Sequence, residues 1–415
     1  MTEMSSHMQT IKNVYVPNAV LDDPNSFGGT AYAQGRVGDL TINDQGHIRL
    51  IPSARAANTS IVILPKLTEA HVHLDKCHSS DRIGGIGGDL LAAIDAQHQD
   101  KANWTDDDIR DRAARGLSEL VAAGCGTVRT HVDWSYGTEA STPPPAWHVL
   151  TDLATEQKSK LHLQVAPLVG ADVMADTNVA ESIAKIIATK NGILGLFVLY
   201  QPDRRAGIEA AFKMAAKFNL PLDFHVDEGL DPFLNGLEMI ADTALETKFD
   251  RPILCGHACS LAVLPDEDFK RITDKLAQAG ITITTLPTTN LYLQGRNGRT
   301  PTQRGLTRIA DLQAAGVPVI FGTDNVRDAF FPLGAHDPMQ TLAVANMAAH
   351  LDPPFEAHLP MITSNAQRAL GLEPIWVDRA PVSDLLIYQT GSLAEAISQH
   401  QKPNPLSDHI IGELQ

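Results

Sequence analysis

The 415-residue chain carries 33 basic against 49 acidic residues, a formal charge of −16, with 43% hydrophobic and 20% charged residues. An acidic balance of this size repels nucleic acid and anionic membrane at long range, and no apolar run reaches the roughly 18 residues needed to span a bilayer. With no basic, apolar, small-residue leader either, the expectation is a soluble, cytoplasmic protein with a neutral or cationic small-molecule partner. Four cysteines are too few for a disulfide framework in a chain this long, so Cys255, Cys259 and the other two are expected as reduced thiols.

In chain order, residues 11–66 read as short strands joined by turns, with "GRVGDLTIN" and "HIRLI" meeting across "DQG" as a hairpin. From "IVILPKLTEAHVH" onward, short apolar strands alternate with amphipathic helices, the pattern of a parallel sheet with crossover helices. Eight strands are predicted, over 61–73, 127–133, 161–167, 193–199, 220–226, 251–257, 281–287 and 317–323. Their number and spacing predict an α/β fold, a (β/α)8 TIM-like barrel. Helix signals between them are legible. Thr105 can cap "DDDIRDRAARGLSELVAAG", with acids in its first turn and Gly124 as its stop; "PDEDFKRITDKLAQAG" and "GLTRIADLQAAG" each end on glycine just before a strand. A further strand in "SDLLIYQTG" brings the C-terminal part back to the N-terminal strands. The predicted division is therefore a small β-sandwich domain from 1–66 and 371–415 and a barrel over 67–370.

Catalytic groups of such barrels sit at the C-terminal ends of the strands. His71 and His73 end the first predicted strand and face the same way, because side chains two apart in a strand share a face. Alone, "HVH" is as compatible with a polar strand end as with half a metal site. The other strand ends shift the balance: His225 ends the fifth, His257 the sixth, and Asp324 follows the eighth in "FGTDN". This nitrogen and oxygen set suits one divalent transition metal, Zn²⁺ or Fe²⁺, with a position left for water. Glu228, three residues beyond His225, is placed as a proton shuttle, while Asp227 and Asp231 read as loop or helix-entry acids. In the fifth strand Asp223 and His225 are expected inward, Leu222 and Phe224 outward. Arg129, His131 and Asp133 share a face of the second strand and read as a buried polar network under the rim.

The motifs "HVHLDK", "RTHVD", "FHVDEG", "CGHA", "LQGR" and "FGTDNVRDAFFPLG" occur in the order found in the amidohydrolase superfamily. The chain resembles the branch that holds cytosine deaminase and N-isopropylammelide amidohydrolase, over residues from about 30 to 390. The resemblance implies His71, His73, His225 and Asp324 as metal ligands, Glu228 as the shuttle, and His257 as a non-ligand that orients the attacking oxygen. Members with two metals carry a bridging lysine or glutamate at the end of the fourth strand; "ILGLFVLYQ" has neither, which implies one metal. Cytosine deaminase has a glutamine in the turn after the third strand that hydrogen-bonds the pyrimidine, and here Leu168 takes its place. Cytosine would then lose partners worth about 1–3 kcal/mol per unpaired group. Asn325 and Phe330 on the loop after the eighth strand, and Gln294 and Arg296 after the seventh, complete the substrate-binding candidates, with Phe330 and Phe331 equally readable as core.

The function this implies is deamination of an aminated nitrogen heterocycle or cyclic amidine with release of ammonia. Cleavage of an N-substituted amine or a ring amide is the alternative, and a catalytically silent binding barrel a third reading that the full ligand set disfavours. A homo-oligomer is also expected from the resemblance. His78, next to the cluster in sequence, is not needed to complete it.

Overall fold

In the computed structural model, residues 9–43, 45–53, 59–84, 87–134, 139–190, 192–399 and 401–412 are described. Strands from both ends of the chain build one sheet: β1 (Gln9–Pro17), β2 (Thr30–Tyr32), β3 (Gly35–Ile42), β4 (Ile48–Ile51), β5 (Ile61–Pro65), β14 (Leu385–Tyr388) and β15 (Asn404–Pro405). Its order is β15-β14-β5-β1-β3-β2, with β4 also on β3; β1 and β5 are parallel and the other pairs antiparallel. The expected hairpin is β3 with β4, pairing Ile42 with Ile48; its turn residue Asp44 lies outside the described residues.

The barrel strands are β6 (Leu67–Val72), β7 (Cys125–Asp133), β8 (His162–Gly170), β9 (Leu194–Val198), β10 (Leu222–Val226), β11 (Ile253–His257), β12 (Thr282–Thr285) and β13 (Val319–Phe321). They pair in parallel and in sequence order. The ring closes where the Asp324 N–H donates to the His71 carbonyl over 2.9 Å, beside the bridge between Val72 and Asp324. The TIM-like barrel with an additional sheet at the chain ends is thus the observed fold. Most of these strands are buried on both faces, as strands roofed by crossover helices are.

One predicted strand divides. Residues 61–73 form β5 in the small sheet and β6 in the barrel, and the pairing partner changes between them. Pro65 has no N–H to offer, the Lys66 N–H donates to the Asp384 carbonyl, and Leu67 already pairs with Gly124. An apolar run shows that a strand is buried but not which sheet it joins.

The helices form as their signals predict. Thr105 Oγ1 accepts from the Asp108 N–H and starts the helix Asp106–Ala122, whose face of Ile109, Ala113, Leu117 and Leu120 is buried. Helix Asp266–Ala279 buries Phe269, Ile272 and Leu276 and stops at Gly280 in the left-handed conformation. On β10, Phe224 points outward and stacks on Phe212 of helix Arg204–Phe218, with ring centroids 6.1 Å apart, while Asp223 and His225 point inward. Burying each such aromatic contributes about 1.5–3 kcal/mol, and this outer layer holds the strand ends in place. The four cysteines are buried free thiols.

Candidate metal centre and active site

His71 is wholly buried where β6 meets β13, and two glycines leave room for its ring. A Cβ on Gly322 would stand 2.7 Å from His71 Cβ, and one on Gly256 would stand 3.0 Å from His71 Cε1. Asp324 is held by the closing hydrogen bond at φ +61°, and His257 stands at φ +68°, both uncommon for residues with a side chain. His73 follows on β6, and β10 presents His225 opposite Gly256.

These groups converge. His73 Nε2 lies 3.1 Å from His225 Nε2 and 3.4 Å from Asp324 Oδ1, and His71 Nε2 lies 3.6 Å from the same oxygen. Ligands in a tetrahedron about 2.1 Å from a zinc ion stand about 3.4 Å apart, so these three separations suit ligands of one metal; the ligand-type atoms fall into two overlapping groups, His71, His73, His131 and His225, and His71, His257 and Asp324, each with its atoms within 4.8 Å of one another. The side chains are otherwise unsatisfied: both ring nitrogens of His71, Nδ1 of His73 and of His225, and both oxygens of Asp324 are buried without a hydrogen-bond partner. A cation between the three Nε2 atoms and Asp324 would pair His71 Nε2 and the Asp324 carboxylate, buried atoms that are costly to leave without a partner. Burial first, then neighbouring cationic or imidazole groups, pushes His71, His73 and His225 well below the usual histidine range, so the rings are neutral, the form that binds metal. The residues therefore fit a divalent metal.

The mouth of the barrel above this set is a cavity of about 230 Å³. His73, His225, Glu228, His257 and Asp324 line one side of it, and Leu168, Phe197, Asn325 and Phe330 line much of the rest. Glu228 Oε1 lies 3.4 Å from His257 Nδ1, which is also 3.1 Å from the side-chain nitrogen of Asn290. Burial, then the nearby Asp324 carboxylate, raises the Glu228 carboxyl well above its usual range. Burial lowers His257 to about 4. Lys76 and Asp133 complete the wall in a 2.6 Å ion pair, with the ammonium 5.0 Å from the Phe330 ring centroid. Asp328 orders the Phe330 loop by accepting from the N–H groups of Phe330 and Phe331 and from the Asn325 amide.

Not every sequence candidate meets in this cavity. Gln294 and Arg296 line a neighbouring cavity of about 400 Å³ that shares only Leu90 and Glu228 with the first. Phe331 packs against Tyr292. Asp227 accepts from the N–H groups of Gly236 and Leu237 at the start of helix Gly236–Thr247, and Asp231 from that of Phe233, as the loop and helix-entry roles require. Of the polar network expected under the rim, Arg129 and His131 are joined through Asp223, with Arg129 also bonding Gln164, whereas Asp133 turns to Lys76 and Lys101 in the cavity wall.

Sequence reasoning missed Glu69, Asn290 and Phe197, and gave His131 a supporting place only. Glu69 is fully buried and accepts from the His71 and Thr323 N–H groups, tying β6 to the loop after β13; burial raises it to about 8. Its position two before His71 on the same strand face was the available signal. His131 stands closer to the ligand set than a supporting role suggests, its ring centroid 4.2 Å from that of His71. Asn290, three residues before "LQGR", and Phe197, within "ILGLFVLYQ", carried no chemical signal of their own, since their place at the site depends on how that helix and that strand pack.

A parallel barrel with histidines and an aspartate at its strand ends around one cavity defines a TIM-barrel hydrolase with a site suited to a divalent metal. Comparison with known proteins agrees. Residues 81–375 match the model of the amidohydrolase family. A pterin deaminase of Rhizobium rhizogenes (strain K84 / ATCC BAA-868) is 32% identical over 361 residues, 86% of this chain and 80% of the relative. N-isopropylammelide isopropyl amidohydrolase of Pseudomonas sp. (strain ADP) is 21% identical over 94% of both chains. Among solved structures, 5-methylcytosine deaminase from Klebsiella pneumoniae superposes with a TM-score of 0.77 at 24% identity, over 96% of both chains. The chain belongs to the amidohydrolase family, and is a hydrolase of carbon–nitrogen bonds.

Proposed function

We propose that the protein is a mononuclear metal-dependent deaminase of an aminated nitrogen heterocycle. The observation that carries this reading is the convergence of the unsatisfied histidines and Asp324 with Glu228 and His257 on one side of a single small cavity. His71, His73, His225 and Asp324 are the ligands. Zn²⁺ and Fe²⁺ both suit this donor set, and the absence of lysine or glutamate at the end of β9 supports one ion. When bound, the metal acts as a Lewis acid that brings the pKa of a coordinated water near neutral.

The other steps belong to the protein. Glu228, protonated in its buried site, donates to the ring nitrogen beside the attacked carbon. It then carries one proton of the attacking water to the departing amine and takes up the other, so that water and the amino compound become the oxo compound and ammonia and Glu228 is protonated again. Asn290 donates to His257 Nδ1 and leaves the ring proton on Nε2, where it can meet the developing oxyanion. Leu168, Phe197 and Phe330 give flat apolar surface to a ring, and Asn325 stands at the rim with its amide fixed on Asp328. Gln294 and Arg296 hold the outer cavity, where a substituent of a larger substrate would extend.

With Leu168 lining the wall, a pyrimidine lacks a hydrogen-bond partner there, and the relative named pterin deaminase supports a bicyclic 2-amino heterocycle. The deciding experiment is metal analysis of the purified protein with an assay of pterin, cytosine, guanine and N-isopropylammelide. Ammonia released from pterin at the highest kcat/KM is the expected result. Alkylamine release from N-isopropylammelide alone would favour the alternative hydrolase reading, and a metal-free protein inactive with added Zn²⁺, Fe²⁺ or Mn²⁺ would reject both.

A further inference from the structure

His78 takes no part in the barrel-mouth cluster, yet it belongs to another set of ligand-type side chains. His78, Glu119 and His336 each offer an atom, and the three atoms lie within 4.8 Å of one another. They come from three elements: the loop after β6, the helix Asp106–Ala122 and the loop after β13. Glu119 Oε2 is 2.9 Å from His336 Nδ1 and 3.2 Å from His78 Nε2, separations that ligands take around one small divalent ion. Arg115 occupies the other oxygen, with Nε 3.2 Å from Oε1, which turns Oε2 toward the two rings in the way supporting groups orient metal ligands.

Hydrogen bonding alone explains this arrangement poorly. His336 Nδ1 donates to Glu119, but His78 Nε2, which stands at the same carboxylate oxygen, makes no hydrogen bond. The two side chains are 4% and 0% exposed, so water does not supply the missing partners freely. His78 is moreover held at φ +56°. Burial lowers both imidazoles, His78 to about 4, leaving them neutral and able to bind a cation.

We propose that His78, Glu119 and His336 form a second divalent-metal site, of two imidazoles and one carboxylate, that takes Zn²⁺ and pins the loops after β6 and β13 to the helix between them. None of the three lines the catalytic cavity, so the role is structural. The loops are already joined by backbone hydrogen bonds from His78 to Val326 and from Ser80 to Arg327. A metal there would fix the segment two residues after Lys76, and with it the Lys76–Asp133 wall. Arg115 and Arg327 add positive charge near the rings, which makes the site weaker than the one at the barrel mouth.

Zinc per chain, after equilibration with Zn²⁺ and gel filtration, tests this in wild type, His78→Asn and His336→Gln. Asparagine tolerates the left-handed backbone, so the first variant keeps the loop. The wild type should retain one more zinc per chain than either variant, with unchanged circular dichroism, and zinc added beyond the first equivalent should raise its Tm. Equal zinc in all three proteins, or no Tm shift in the wild type, would overturn the proposal. A failure of the catalytic-centre assignment would lower all three counts together and leave their difference intact.

Discussion

Glu228 has a role that geometry and burial both constrain: it faces the cavity, 3.4 Å from His257, with its carboxyl raised by desolvation. Glu228→Gln keeps the shape and hydrogen-bonding reach but cannot transfer a proton. We predict a fall in kcat of about 10²–10⁴-fold with metal content unchanged. Near wild-type turnover at full metal occupancy would assign the proton transfer elsewhere. At this scale the sequence was informative wherever chemistry is written in a motif. His71, His73, His225, His257 and Asp324 were legible because strand ends in a barrel converge and these residue types there are uncommon without a purpose. Asn290 was not, because it acts through a ring nitrogen of a residue 33 positions away, a contact with no fixed sequence spacing; Glu69 had a signal, two residues before His71, that carried no chemistry until its contact with Thr323 was seen.

Elements position those residues with little slack. Gly322 lets β13 approach His71, and a methyl group would meet the His71 Cβ at 2.7 Å and its carbonyl oxygen at 2.9 Å. Gly322→Ala is predicted to cost about 1–3 kcal/mol of stability and to weaken metal retention; unaltered Tm and metal content would show that the joint relaxes at no cost. The segment over the cavity is tied differently. Arg82 holds Asp100 through bonds of 2.7 and 2.8 Å and Asp108 through one of 2.6 Å, at the two ends of the covering stretch that includes the helix Leu90–Asp100. Burial, the largest single effect, raises both carboxyls, but the bonds from Arg82 together with those of Trp104 and Asn103 to Asp100 and of Arg112 to Asp108 outweigh it and lower them below the usual 3.8. The tie is therefore complete above that value and is lost as pH falls through the depressed ones. Arg82→Met should remove about 1 kcal/mol, speed amide exchange over this helix and raise KM with kcat nearly kept; unchanged exchange would refute the tie. Helix caps such as Thr105 could be read from sequence because they are local. The change of sheet at Lys66 could not, because the partner that claims it, Asp384, is over 300 residues away.

Across the whole molecule, the parallel ring and the returning C-terminal strand were legible from hydrophobic period alone, since strand number and spacing leave few ways to bury both faces. How the ends of that ring join, and what covers its mouth, depended on long-range contacts. The unpaired ligand atoms predict that a metal stabilises the fold as a whole. Chelation should lower the Tm by removing stability, about 2.7 kcal/mol for a free ion present at about 100 times its Kd, and Zn²⁺ or Fe²⁺ should restore it; a chelated protein with unaltered Tm would contradict the ligand assignment.

The hydrogen bond from Asp324 to His71 joins the first barrel strand to the residue that follows the last, and both residues belong to the proposed metal-ligand set. Two of the ligands are thus about 250 positions apart in the chain and become neighbours only when the cylinder is complete. On the proposed assignment, a chain ending before β13 holds His71, His73 and His225 but lacks Asp324, and so has no finished coordination sphere. We predict that during refolding tight metal uptake lags the recovery of helical circular dichroism. Simultaneous recovery of the two signals would mean that the ligands assemble before the circle of strands is closed.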